Sequence, residues 1–279
     1  MKIRFGFDII YQLPAPTAMT VLLHTHPSVE PRLRAPEVLE VYPKVPTETY
    51  LDFFGNKATR LLAPAGNVRL TLDSLCEDSG ELDPFEPTAE QWPVDALPVE
   101  VLTYLLPSRY CEVDRLGSLA WSLFGQTPMG WSRVQAVVDW VHHHLRFDYQ
   151  QARATRTALD GYNEAVGVCR DFTHLAITLC RCLNIPARYA TGYLGDIGVP
   201  AVPDPMDFSA WFEVFLGGRW YTFDARHNRR RIGRIVMAYG RDAADVALTT
   251  TFGPHTLQQF TIWTDEVVAP TTNALPVAC

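Results

Sequence analysis

Two stretches of the chain decide its fold: residues 167–195, GVCRDFTHLAITLCRCLNIPARYATGYLG, and residues 207–228, DFSAWFEVFLGGRWYTFDARHN. In the first, Gly167 interrupts the preceding pattern and apolar residues then recur at helical spacing until a proline, so a helix is predicted to begin close to Cys169. Beyond it, ARYATGYLG, AWFEVFL and RWYTFDA have the composition of strands, and the Gly217-Gly218 pair is typical of a hairpin turn. The order of features is glycine, cysteine, helix and then strands.

Residues 1–76 are predicted to form a small antiparallel β-sandwich. Short segments rich in β-branched and aromatic residues, several of them alternating, are separated by Pro, Gly and Asn. These segments are KIRFGFDIIYQL, AMTVLLHTH, EVLEVYP, TETYLDFFGN, ATRLLAP and NVRLTLDS.

Residues 77–100 separate this region from the rest of the chain. They hold eight acidic residues and four prolines but no Lys or Arg, a composition that resists both helix and central strand. After them, valines at helical spacing predict an amphipathic helix that ends near Arg146. The predicted α+β organisation is a β-rich domain over 1–76, a linker over 77–100, an α+β domain over 101–265 and a tail over 266–279.

Composition excludes several classes of protein. Hydrophobic residues make up 47% and charged residues 20% of the 279 positions, which is typical of a globular chain. The net charge of −7 gives no electrostatic reason to expect nucleic acid as a partner. Asp8 and Gln12 interrupt the N-terminal apolar segment, and no other apolar run is long enough to span a membrane, so neither export nor a membrane partner is expected. Six scattered cysteines without a C-x-x-C pair predict a cytoplasmic protein with no metal site.

Cys169 is the first candidate for chemistry. A cysteine at a helix N-terminus faces unpaired backbone N–H groups and the positive end of the helix dipole, and both favour the reactive thiolate. The alternative is a small apolar filler, since free cysteine is among the most buried residue types. Cys180 and Cys182, deeper in the same helix, fit that second description.

The separated motifs resemble the transglutaminase-like (papain-like) superfamily, in particular its bacterial branch with a β-rich N-terminal region. In that family a G-x-C opens a helix, the helix runs into an L-x-I-P-A-R-Y-x-x-G-Y strand, an H-A-W-x-E strand carries the histidine, and a W-x-x-F-D strand carries the aspartate. The likeness covers about residues 130–228. It implies a papain-like α+β domain in which Cys169 is the nucleophile and Asp224 orients the base. It also implies, with no cofactor, acyl transfer from a peptide or protein amide to water or an amine.

The family's histidine is replaced by serine in this chain. Ser209-Ala210-Trp211 stands where H-A-W is expected, between intact flanks. A serine hydroxyl does not accept a proton at neutral pH, whereas imidazole both accepts and returns one, so a large loss of activity is expected. Three interpretations stay open: an enzyme of very low activity, a non-catalytic module that binds a peptide or partner protein, and a serine introduced deliberately.

Other residues are weaker candidates. His227 reaches the site as a substitute base only if the loop after Asp224 folds back. His174 is predicted to face away from Cys169, at the surface or the edge of the core. Arg226 is a candidate for binding a substrate carboxylate, although pairing of its basic stretch with the acidic linker is the stronger alternative. Trp211 is a candidate wall of the cleft, with core packing as its alternative.

Overall fold

The computed structural model describes residues 1–202 and 206–267. The helices are α1 (Val113–Phe124), α2 (Trp131–His144), α3 (Ala158–Glu164) and α4 (Cys169–Cys182). The strands are β1 (Lys2–Leu13), β2 (Thr17–Val21), β3 (Glu40–Tyr42), β4 (Thr47–Leu51), β5 (Lys57–Ala63), β6 (Gly66–Glu77), β7 (Arg146–Phe147), β8 (Val166–Gly167), β9 (Ala187–Tyr193), β10 (Ser209–Leu216), β11 (Arg219–Phe223), β12 (Ile235–Gly240), β13 (Thr249–Thr251) and β14 (Thr256–Glu266).

Two antiparallel sheets form the predicted β-sandwich. One has the strand order β14-β1-β6-β3 and the other β13-β2-β5-β4. Alternate residues of β1, including Phe5 and Ile9, are buried in a core shared with Leu61 and Leu70 of the two sheets. The period of two in the sequence therefore separates the core face of β1 from its other face, and the predicted sandwich is confirmed.

A third antiparallel sheet, β11-β10-β9-β12, supports α4. Phe212 and Val214 of β10 lie in one core with Leu175 and Leu179 of α4, whereas Trp211 points to the opposite side and joins the core of the sandwich. Gly217 and Gly218 both have positive φ and join β10 to β11, which is the hairpin that the sequence predicts. The α+β class is confirmed, and α4 begins at Cys169 as expected.

The last two described strands return to the first part of the chain. Strand β14 pairs with β1 from Ile3 opposite Glu266 onward, and β13 pairs with β2. The sequence assigns residues 101–265 to one domain, but residues 249–266 are hydrogen-bonded into the sandwich. By sheet membership, the unit that contains α4 is inserted between β6 and β13 of the sandwich.

Residues 77–100 run across the inserted unit and are anchored there at several points. The Ala89 carbonyl accepts from the backbone N–H of Trp131 at 3.1 Å, and the Glu90 carbonyl accepts from that of Gly217 at 2.8 Å. Trp92 packs edge-on against Phe215 at 6.0 Å between ring centroids. Residues 77–100 are held here by backbone hydrogen bonds and by a single aromatic contact rather than by a continuous apolar face. The segment therefore lies along the surface of the elements next to it.

Candidate active site

The first turn of α4 is held by a buried ion pair. Asp171, the third residue of the helix, accepts from the backbone N–H of Val168 at 2.9 Å and from Arg156 at 3.0 Å. The side chains of Asp171 and Arg156 are 0% and 1% exposed. A Cβ at Gly167 would lie 2.6 Å from Cβ of Asp171, so only glycine fits beside this carboxylate. These contacts fix the backbone from which the Cys169 side chain projects.

The Cys169 thiol is half-buried, and its surroundings disfavour the thiolate. Burial raises the pKa of the Cys169 thiol to about 11, against the charge of Arg226 and the N–H groups of Ala210 and Arg170, which act in the opposite direction. The nearby carboxylate of Asp207 raises it further. At this helix start, desolvation therefore acts against the N–H groups and the positive charge that favour the thiolate.

Ser209 is the first residue of β10 and precedes Ala210, which belongs to the core against which Cys169 packs. It is opposite Gly192 of β9, and its carbonyl accepts from the Thr191 hydroxyl at 3.2 Å. The next peptide N–H, that of Ala210, lowers the pKa of the Cys169 thiol. Position 209, the candidate base position of the sequence analysis, carries only a hydroxyl in this chain.

Asp224 follows β11 and is buried with three donors around its carboxylate. Oδ1 accepts from the backbone N–H of His227 at 3.0 Å, and Oδ2 accepts from His227 Nδ1 at 2.9 Å and from Arg234 Nη2 at 3.0 Å. Burial alone would raise the pKa of the Asp224 carboxyl, but the His227 hydrogen bond and the charge of Arg234 lower it well below its usual range. The loop after β11 does fold back, since Asn228 also donates its backbone N–H to the Asp224 carbonyl at 2.8 Å.

A cavity of about 140 Å³ opens beside these groups. Ser209, Arg226 and His227 line it, together with Tyr149 and Asp207. The guanidinium of Arg226 stacks 3.8 Å above the Phe147 ring, which holds it close to the Cys169 thiol. Of the residues proposed to contact substrate, Arg226 and His227 are therefore at the cavity.

Trp211 does not occupy the position expected of a cleft wall. It is 1% exposed and lies in the core of the sandwich, with Arg234 stacked 4.9 Å from its ring. Its place on β10 explains the difference: odd-numbered residues of this strand face away from α4, and at position 211 that side is covered by the sandwich.

The basic stretch after Asp224 pairs in part with the acidic segment. Asp83 accepts from Arg234 at 3.0 Å, and its backbone carbonyl binds Arg230. The backbone N–H of Arg231 also donates to Asp83 at 2.9 Å. Arg231 and Arg234 are buried rather than solvated, so this contact ties residues 77–100 to the chain that follows Asp224.

His174 is placed differently from the prediction. It is fully buried, its Nε2 accepts from the Ala243 N–H at 3.1 Å, and its ring stacks on Tyr110 at 4.9 Å. Helical spacing correctly predicts that His174 faces away from Cys169. It does not show that a loop from residue 240 onward covers that side of α4. The Asp171–Arg156 pair was missed altogether, although a carboxylate at the third helical position is a recognisable capping signal.

No three His, Cys, Asp or Glu side chains converge as metal ligands within residues 1–202 and 206–267. Over the same described ranges, no helix is long and apolar enough to cross a membrane.

Comparison with known proteins places the chain in a family. The model of the transglutaminase-like superfamily matches residues 119–225. A solved structure from Cytophaga hutchinsonii, named only provisionally as a cysteine protease, is 32% identical, spans 98% of this chain and 92% of that one, and superposes with a TM-score of 0.81. An uncharacterised protein of Mycobacterium leprae is 24% identical over 256 residues, which cover 88% of this chain and 90% of that protein. The chain belongs to the transglutaminase-like superfamily.

Proposed function

We propose that this transglutaminase-like protein performs thiol-dependent acyl transfer or hydrolysis on peptide or protein amides, with Cys169 as the nucleophile. The observation that carries the proposal is the arrangement around the sulfur: Cys169 begins α4, and the backbone N–H groups of Arg170 and Ala210 favour its charged form by lowering the pKa of the thiol. Donors aimed at one point of a cleft stabilise the negative charge that develops during attack on an amide.

In the proposed reaction the sulfur attacks the amide carbonyl carbon, the C–N bond breaks, and the amine leaves with a proton. The thioester then passes its acyl group to water or to a second amine. This chain's residues have to remove the thiol proton and return it to the leaving amine. A thiol with a pKa of about 11 is ionised in only about one molecule in 10⁴ at pH 7, so the reaction depends on a base.

We propose that activity in this chain is very low because position 209 lacks an imidazole. The direct test compares the protein with Ser209→His and with a Ser209→Ala control, using activated acyl esters and amides. Ser209→His should raise kcat/KM by about 10²–10⁴-fold, while Ser209→Ala should leave it near the starting value. Cys169→Ala supplies the blank. Equal rates for the unaltered protein and Ser209→His, each dependent on Cys169, would show that position 209 is not the site of the base.

The second candidate is a non-catalytic module that binds peptides. It is favoured by the same serine and by Asp224, whose carboxylate is already occupied by His227 and Arg234. Calorimetric titration of the Cys169→Ala protein with an amide-containing peptide library separates the two: tight binding without turnover by any Cys169-containing version supports the module.

The proposed compartment is the cytoplasm. The five cysteines within the described ranges, Cys76, Cys111, Cys169, Cys180 and Cys182, are all free thiols, as a reducing environment would keep them. Mass spectrometry of the protein isolated under alkylating conditions tests this, because disulfides among these residues would contradict it.

A further inference from the structure

His227 has the hydrogen-bond pattern of a general base. Its Nδ1 lies 2.9 Å from Asp224 Oδ2, and its own backbone N–H donates to Asp224 Oδ1 at 3.0 Å. An ionised carboxylate only accepts hydrogen bonds, so Nδ1 carries the proton in this pair. In the neutral ring the lone pair is then on Nε2, and the buried carboxylate stabilises the imidazolium that forms when Nε2 takes a proton.

The position of His227 makes this pattern relevant to the thiol. Its side chain is 20% exposed, while that of Asp224 is 2% exposed, so the imidazole lies between a buried carboxylate and open space. That space is the cavity that His227 shares with Ser209 and Arg226. Both of these residues are close to the start of α4. Ser209 precedes Ala210, which belongs to the core against which Cys169 packs, and Arg226 stacks on Phe147, which pairs with Gly167 two residues before Cys169.

We propose that His227 is the general base that supports the residual Cys169-dependent activity of the Ser209 protein. The inference rests on the proposed function. Nε2 takes the proton of the Cys169 thiol across the cavity, directly or through one water, which leaves a thiolate and an imidazolium paired with Asp224. The sulfur then bonds to the amide carbonyl carbon, the C–N bond breaks, and the imidazolium returns the proton to the leaving nitrogen.

This arrangement makes His227 and an imidazole at position 209 competitors for one carboxylate. Asp224 Oδ2 already accepts from His227 and from Arg234, and Oδ1 accepts from a backbone N–H. A histidine at position 209 needs a place on the same carboxylate to be oriented. Removal of His227 should therefore have opposite consequences in the two backgrounds.

The test uses His227→Asn in the Ser209 protein and in the Ser209→His protein. Asn keeps an amide donor where Nδ1 stood, so Asp224 retains a partner, but it has no basic nitrogen. In the Ser209 background, Cys169-dependent kcat/KM should fall about 10²-fold or more. In the Ser209→His background it should stay unchanged or rise. His255→Asn, which changes an exposed histidine in the turn between β13 and β14, is the matched control and should change neither rate.

A second measurement needs no knowledge of the substrate. The measurement is the rate at which iodoacetamide alkylates Cys169 at fixed pH, followed on the cysteine-containing peptide by mass spectrometry. This rate should be lower in His227→Asn than in the unaltered protein. It should also be lower in His227→Ala, where added free imidazole should restore it. An unchanged alkylation rate and unchanged turnover in His227→Asn would overturn the inference while leaving the proposed function intact. Absence of Cys169-dependent turnover in every version, Ser209→His included, would overturn the proposed function and the inference together.

Discussion

The two sides of the cleft are built differently. The thiol side is the start of α4, where Gly167, Asp171 and Arg156 fix one cysteine through a fully buried ion pair. The base side joins the start of β10 to the loop after β11, and there Asp224 is held by residues from its own loop. The thiol side presents a cysteine at a helix start, whereas the base side has a serine at position 209 and an imidazole at position 227 beside Asp224.

The two sides of the cleft are not independent. Desolvation raises the pKa of the Cys169 thiol to about 11, so the thiolate is disfavoured at neutral pH and the proposed reaction needs a proton acceptor from the base side. If the thiol had a low pKa and ionised by itself, serine in place of histidine at position 209 would reduce activity only a little. For the Cys169 thiol, we expect a larger loss of activity, because serine at position 209 cannot accept the thiol proton as an imidazole would.

The largest expected effect on stability comes from breaking the thiol side. Asp171→Ala removes one partner of a fully buried pair, leaves Arg156 with the half-buried Glu164 as its remaining carboxylate partner, and frees the Val168 N–H. The free energy of unfolding should fall by about 3–5 kcal/mol, measured by urea denaturation. Arg4→Ala, which breaks an exposed pair with Asp73 on the sandwich, is the control and should change it little. Equal losses in both variants would contradict the role given to burial.

Breaking the base side should cost less and should depend on pH. Asp224→Asn removes a charge that binds His227 and Arg234, and the loss at pH 7 should be about 1.5–3 kcal/mol. Because the pKa of the folded-state carboxyl is lowered, its charge stabilises the fold above the unfolded pKa of about 3.9, and that stabilisation is lost as the pH falls below it. Thermal melts should therefore show the two proteins converging in acid. A gap that stays constant from pH 7 to pH 3 would show that the charge is not its source.

A smaller effect is expected for the labelling of Cys169, in which the accessibility of the thiol and its ionisation can be measured separately. Cys169 is the half-buried member of the five described cysteines, so iodoacetamide should label it first. Its rate should rise about tenfold for each pH unit between 7 and 9, since the thiolate fraction grows in that proportion below a pKa of about 11. A rate that levels off before pH 9 would mean that the thiol ionises more easily than its surroundings indicate.

The smallest effect is expected where residues 77–100 meet the base side. Asp83→Asn weakens the contact with Arg234, which keeps Asp224 as a partner, so the loss of stability should be only about 1 kcal/mol. Limited proteolysis followed by mass spectrometry should show faster cutting within 77–100 than in the unaltered protein. Identical cutting rates would mean that the Ala89, Glu90 and Trp92 anchors hold the segment without Asp83.

Local patterns were sufficient for the fold of each half. The alternation in KIRFGFDIIYQL fixed the core face of β1, and the apolar stripe after Gly167 fixed the start of α4. Features that depend on residues far apart in the sequence could not be predicted from local patterns. They include the burial of His174 under the loop that holds Ala243 and the pairing of β14 with β1. The desolvation that raises the pKa of Cys169 is a third such feature. Trp211 and His227 show the same limit, because the neighbours of each side chain come from elements that spacing does not relate.

The pairing of β1 with β14 also sets an order of events during synthesis. Strand β1 leaves the ribosome before the other strands described here, but the strand that covers one of its edges lies at residues 256–266, after the whole inserted unit. Until then the twelve-residue β1 pairs only with β6, and its other edge exposes unpaired backbone groups on a strand with a strongly apolar face. A nascent chain stalled before residue 256 should therefore recruit chaperones or associate with other such chains, and release of β14 should end both.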